Sequence, residues 1–340
     1  MPFIDKIWEY GSLSIVGLEK NTGKTECLNY MLNRIKNSGK VVGLTSIGID
    51  GEGVDQVTHT HKPEIEIFEG MLFATSEKHY KKKLLTAEII DITKKQTSLG
   101  RLVIAKAISG GKTLLSGPAD TAWLKALIAE FGQLGADLTL VDGALSRLSL
   151  ASPVITDTMV LATGAALSAN IPELVRKTTF VYSLINLPEA DSDTKAMLKN
   201  IDKGIWAITK DNKLYDLNIN SAFSINAQTT NLLSQQTRLF IAGAVGDKLV
   251  NFMRMQKQIK ETEIIVKDFS KLFISPESYQ AFIQKGGTVK VLQQPKLLAV
   301  CINPVAPNGQ QLNSQELAKA LQANISVPVY DVRQLQKQYS

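Results

Sequence analysis

The chain has 340 residues, enough for two domains at about 100–200 residues each. Hydrophobic residues make up 44% and charged residues 21%, which allows a buried core and excludes a disordered tail, a collagen-like fibre and a coiled-coil rod. The net charge of +6, from 38 basic and 32 acidic residues, is mild for a nucleic-acid binder, which concentrates charge in a patch or stripe.

The nearest basic runs, Lys81–Lys83 and Lys94–Lys95, read as solvated helix faces, and no nucleic-acid partner is expected. No stretch of about 18 uncharged apolar residues occurs, so no membrane span is expected. Asp5 and Glu9 interrupt the segment where a signal peptide needs an unbroken apolar run, which points to a cytoplasmic protein. Two cysteines, Cys27 and Cys301, are too few for a disulfide framework, and no Cys-x-x-Cys pair suggests zinc or an iron–sulfur cluster.

In chain order, Ser12 to Leu18 is a short apolar run that suits a buried strand. Leu28, Met31, Leu32 and Ile35 then recur at helical spacing, and Ser38-Gly39 closes that helix. VVGLTSIGIDGEG supplies a second strand and a glycine-bearing loop. Strand, glycine turn, helix, strand is the opening of a doubly wound α/β sheet. EIEIF reads as an edge strand. LLTAEIIDIT, RLVIAKAIS and KTLLSGP read as further strands, the last two joined by a hairpin turn at Gly110-Gly111. A helix follows over ADTAWLKALIAEFGQLGA with Asp120 as N-cap, then the strands ADLTLVDGA and TDTMVLATGAAL. Residues 169–236 read as a mostly helical connecting region. Beyond them, RLFIAGAVGD, TEIIVKD, TVKVL, KLLAVCINP and VPVYDV are strands, with helices over Val245–Gln258, Pro276–Lys285 and Ser314–Ala323 and a surface turn at Pro304–Gly309. The expected organisation is a P-loop NTPase-like domain over 1–168, the connection over 169–236, and a smaller α/β domain over 237–340.

The chemistry concentrates in one run between the first strand and the first helix: Lys20, Asn21, Thr22, Gly23, Lys24, Thr25 and Glu26. Glycine lets backbone amides approach phosphate oxygens, and a helix N-terminus adds positive dipole. Lys24 would neutralise β- and γ-phosphate charge, and Thr25 would hold Mg²⁺. The standard spacing is G-x-x-x-x-G-K-[ST]. Here Leu18 stands at the first position, and the glycine comes one residue earlier, at Gly17. Asp142-Gly143 ends a buried apolar strand, where a carboxylate binds Mg²⁺ directly or through water. Asp50, after the second strand, is placed to hold Mg²⁺ or to orient an attacking water, with Asp55 as runner-up. Arg147, on the loop after Asp142, reads as a phosphate or partner contact or simply a surface arginine. His59 and His61 lack a third ligand and read as loop residues, and Cys27 reads as a small buried hydrophobe. No guanine-selective NKxD motif follows, which leans towards ATP.

Lys20 to Thr25 is similar in register to the phosphate loop of the molybdopterin-guanine-dinucleotide synthesis factor and of related proteins such as dethiobiotin synthetase. A wider resemblance rests on GLEKNTGKTECLNY, TSIGIDGEGVDQVTHTHKPEI, LVDGALSR, LATGAALS, INPVAPNG and SVPVYDV, which span about residues 13 to 332. These strings resemble the small-subunit family of lysine 5,6-aminomutase reactivases. That resemblance implies an ATP- and Mg²⁺-dependent reactivating factor. It implies two partners: a larger MutS-like subunit and a cobalamin- and pyridoxal-phosphate-dependent aminomutase of amino-acid fermentation. Two alternatives are a non-hydrolysing nucleotide-binding partner module and a small-molecule P-loop enzyme of the dethiobiotin-synthetase type.

Overall fold

The computed structural model describes residues 2–46, 64–118, 120–144, 155–209, 211–223 and 227–337. The chain forms two compact units. The first comprises residues 1–179 and 296–340 and the second residues 180–295.

The first unit opens with helix α1 (Pro2–Lys6), strand β1 (Ser12–Gly17), helix α2 (Lys24–Ile35) and strand β2 (Val42–Ser46). It continues through β3 (Ile65–Ile67), β4 (Leu72–Ser76), α3 (Glu77–Tyr80), β5 (Ala87–Thr97), β6 (Gly100–Ala107) and β7 (Gly111–Thr113). Then come α4 (Thr121–Gln133), β8 (Leu138–Ala144), β9 (Thr158–Gly164) and α5 (Ile171–Ile185), which carries the chain across the unit boundary. The second unit adds α6 (Ser192–Leu198), β10 (Ile205–Ile208), β11 (Leu214–Ile219), α7 (Ala227–Ser234), β12 (Arg238–Ile241), β13 (Val245–Gly246) and α8 (Asp247–Arg254). It ends with β14 (Glu263–Val266), β15 (Leu272–Phe273), α9 (Pro276–Gln284) and β16 (Thr288–Val291). The chain then returns to the first unit with β17 (Lys296–Asn303), α10 (Ser314–Gln322), β18 (Val329–Asp331) and α11 (Val332–Lys337).

The fold is mixed α/β. A nine-stranded sheet of order β18-β17-β9-β1-β8-β2-β4-β6-β5 organises the first unit. From β18 to β4 every neighbouring pair is parallel, and β6 and β5 add an antiparallel edge. Both faces are covered, as a largely parallel sheet requires. On one face Leu28, Met31 and Leu32 of α2 pack with Leu13, Ile15, Leu138 and Leu140, joined by Phe3 of α1 and Val332 of α11. Each fully buried side chain of this kind contributes about 1.5–3 kcal/mol. On the other face Trp123, Leu127 and Phe131 of α4 pack on Leu72, Ala74, Leu102 and Ile104. Asp120 caps α4, its side chain accepting from the Trp123 amide at 2.8 Å.

Two expectations differ from the structure. Gly110-Gly111 does not join a hairpin: β7 pairs with β3, while β6 pairs with β4 and with β5 across the short turn at residues 98–99. Gly111 is needed for close approach, because a Cβ there would lie 2.0 Å from the Leu84 carbonyl oxygen. The organisation also differs from boundaries at 168 and 236. The β17 run pairs with β9 and completes the first sheet, and the region expected to be helical holds β10 and β11 beside α5, α6 and α7.

The second unit has its own five-stranded sheet, β11-β10-β12-β14-β16, with β12, β14 and β16 parallel and β10 antiparallel to both neighbours. Phe240, Ile265, Leu198 and Ile208 form its core. Glu263 ties the three parallel strands together, accepting from Arg238 Nε at 3.1 Å and Lys290 Nζ at 2.5 Å.

Candidate functional site

In parallel α/β sheets, ligands bind where the strands end and the loops leave for helices. In this chain that edge carries Gly17 of β1, Asp142 near the end of β8, Ser46 of β2, Gly164 of β9 and Asn303 of β17. The segment from Leu18 to Gly23 leaves β1, the middle strand of the parallel run from β18 to β4, and enters α2.

The loop closes on its own backbone. The Thr22 hydroxyl donates to the Glu19 carbonyl at 2.9 Å, and Lys24 Nζ approaches the same oxygen at 3.4 Å. The Lys24 side chain folds back over Gly17: a Cβ on Gly17 would sit 2.6 Å from Thr22 Oγ1 and 2.7 Å from Lys24 Cγ. The glycine that looked one residue early is therefore the one that admits the lysine. Within the loop Asn21 adopts a left-handed φ of 61°, and Gly23 follows with φ 94°. Asparagine and glycine are the residues that tolerate that region.

Gly23 is the N-cap of α2 and makes no side-chain cap, so the first-turn amides of the helix are not claimed by a capping side chain. Thr25 and Glu26 lie in that first turn. Glu26 is 3.9 Å from Arg333 of α11. Asp331 sets up α11, accepting from the amides of Arg333 and Gln334 and from the Ser314 hydroxyl. Lys20 is exposed at the loop's outer turn.

Asp142 occupies the neighbouring strand, level with Ile15 of β1 and Ser46 of β2. Strand alternation places it on the face of Leu138 and Leu140, and those two pack with Leu28 and Met31 of α2. Its carboxylate therefore belongs to the same face of the sheet as α2. The Ser46 hydroxyl donates to the Asp142 carbonyl at 3.2 Å. Asp50, Asp55, Arg147, His59 and His61 lie outside the described residues.

The sequence reading missed Asn303. This residue is 4% exposed, and a Cβ on Gly23 would come within 2.6 Å of its own Cβ. A Cβ on Gly164 would come within 2.0 Å of the Asn303 carbonyl oxygen, which also accepts from the Ala165 amide at 2.9 Å. The loops after β1, β9 and β17 thus converge on one asparagine. The signal was a polar residue closing the apolar run KLLAVCI just before Pro304.

The third histidine, His79, is buried. Its Nδ1 lies 3.2 Å from the Ser116 hydroxyl, which also accepts from the Ser76 amide at 2.9 Å. This network ties the chain after β7 to the start of α3.

Chemically, the β1–α2 loop combines lysine charge, a left-handed glycine and a helix start with no side-chain cap, which suits a phosphate chain. Among the described residues no group of three or more His, Cys, Asp or Glu is set to hold a metal by itself. Thr25 and Asp142 offer the oxygen donors that hard cations such as Mg²⁺ take alongside phosphates and water. No protein-family model, no curated protein and no solved structure matches the chain. Among the described residues no helix is long and apolar enough to cross a membrane.

Proposed function

We propose that this chain binds ATP at the β1–α2 loop in a P-loop NTPase-like first unit. One observation carries the reading: the Lys24 side chain is folded over Gly17 onto the loop that ends in left-handed Gly23. In this reading the loop amides and Lys24 hold the phosphates, and Thr25 and Asp142 hold Mg²⁺. Bound Mg²⁺ would neutralise developing charge on the terminal phosphates. Lys24 and the loop orient the phosphate chain, and Asp50 is the candidate for orienting water. The test is titration with ATP and Mg²⁺. The expected result is binding that Lys24→Ala abolishes, and unchanged binding in that variant would sink the reading.

The larger role we propose is that of an ATP-dependent reactivating subunit for a cobalamin-dependent aminomutase, acting with a larger MutS-like subunit. Its support is the set of motifs from GLEKNTGKTECLNY to SVPVYDV. A damaged corrin stays bound in a closed enzyme, and releasing it requires opening that enzyme. Nucleotide drives this only if its bound states differ in affinity for the target. The segments Asp50–Asp55 and Asp142–Arg147 are the proposed switches. Recovery of inactivated aminomutase should need this protein, its partner, ATP and Mg²⁺ together. Full recovery without ATP would rule the role out.

A further inference from the structure

The chain has two cysteines, and the fold brings them together from positions 274 residues apart. Cys27 Sγ and Cys301 Sγ are 3.3 Å from one another, and both residues are buried. Their placement gives the pair a lever. Cys27 lies one helical turn along α2 from Gly23, and Cys301 lies two residues back along β17 from Asn303. Gly23 and Asn303 already touch. The sulfur pair therefore joins the same helix and strand that meet at the phosphate loop.

We propose that Cys27 and Cys301 are a peroxide-responsive thiol pair whose disulfide clamps α2 onto β17 and distorts the β1–α2 loop. The consequence for nucleotide rests on the ATP-binding reading above, while the cross-link itself does not. A small neutral oxidant is specified because burial shuts out bulky reagents. One sulfur releases its proton and attacks hydrogen peroxide as the thiolate: an S–O bond forms, the O–O bond breaks, and the departing hydroxide takes that proton as water. The second sulfur attacks this sulfenic acid: the S–S bond forms, the S–O bond breaks, and the departing hydroxide takes the remaining thiol proton as water. Two thiols lose two electrons and two protons, and the peroxide becomes two waters. Closing the pair to a bond of about 2.05 Å draws the start of α2 towards β17 by on the order of 1 Å. That movement presses Gly23 towards Asn303, which is buried.

The experiment treats the reduced, folded chain with hydrogen peroxide. Intact mass should fall by two hydrogen atoms, and non-reducing peptide mapping should join the Cys27 and Cys301 peptides, reversibly with dithiothreitol. Hydrogen exchange across residues 18–30 should change in the oxidised form whether or not nucleotide binds. ATP affinity should drop on the order of tenfold and return on reduction. Cys301→Ala and Cys27→Ser should each abolish the mass loss, and two variants guard against one that fails to fold. Oxygen addition at separate sulfurs with no cross-link would overturn the pair. A cross-link that leaves both exchange and ATP affinity unchanged would overturn the clamp. Failure of the reduced protein to bind ATP would count against the nucleotide reading while leaving the mass and exchange results to judge the pair.

Discussion

Gly23 and Asn303 meet where β1 hands the chain to α2 and where β17 ends: a side chain on the glycine would strike the asparagine Cβ at 2.6 Å. Gly23 also holds φ at 94°, which costs an L-residue roughly 1–2 kcal/mol. Two separate penalties therefore fall on Gly23→Ala, from backbone and from contact. We expect it to lower stability by about 2 kcal/mol or more, read by denaturant unfolding. In an Asn303→Gly background the new methyl has no Cβ to strike, so only the backbone part should remain. An equal loss in both backgrounds would refute the contact.

Gly17→Ala separates the loop's shape from its charge. The methyl would displace the Lys24 side chain and the Thr22 hydroxyl but leave every charge in place. ATP affinity should fall by about tenfold or more while circular dichroism stays the same. Wild-type affinity in this variant would mean that the Lys24 position over Gly17 does not matter for binding.

Glu189 gives the second unit an acid sensitivity. Its carboxylate accepts from Lys195 at 2.5 Å and from the Gln294 amide at 2.8 Å. The Lys195 contact, aided by the Gln294 amide, holds its pKa below the usual glutamate value against the opposing effect of burial. A depressed carboxylate stabilises the fold above its unfolded pKa, and that stability is lost as pH falls through the folded value. The denaturant midpoint should therefore drop between pH 6 and 3, and drop less in Glu189→Gln. The side chain is 38% exposed, so the difference should stay below about 1.5 kcal/mol. Equal acid sensitivity in both proteins would refute the assignment.

Phe131 anchors α4. It is fully buried against Leu72, Ala74, Leu102 and Ile104, and Gly43 of β2 is small because Phe131 lies 2.8 Å from where its Cβ would be. Phe131→Ala should cost about 3–5 kcal/mol, measured by equilibrium unfolding. Less than about 1 kcal/mol would mean that the site collapses to fill the space.

What was legible in the sequence was local. The α2 stripe of Leu28, Met31, Leu32 and Ile35, the Asp120 cap and the run from Asn21 to Thr25 each depend on neighbours within a few residues. What was illegible was long-range. KLLAVCIN has the composition of a buried strand wherever it pairs, and nothing within it names β9 as its partner. Gly110-Gly111 suggested a turn because glycine serves turns and close approaches alike, and only the Leu84 carbonyl distinguishes the two. Asn303 escaped for the same reason: its importance comes from Gly23 and Gly164, both more than a hundred residues away.

The return of β17 to β9 also sets an order of events during synthesis. Strand β9 lies between β1 and β17, so one of its edges stays unpaired until residues 296–303 leave the ribosome. All of residues 180–295 are made in that interval, and they contain a sheet and core of their own. The inserted unit is therefore expected to mature first, although it comes second in the chain. Meanwhile the growing first unit displays an apolar parallel edge, TMVLATG, to whatever it meets. For this protein, slow translation through the insertion is expected to extend the time for which that edge stays exposed.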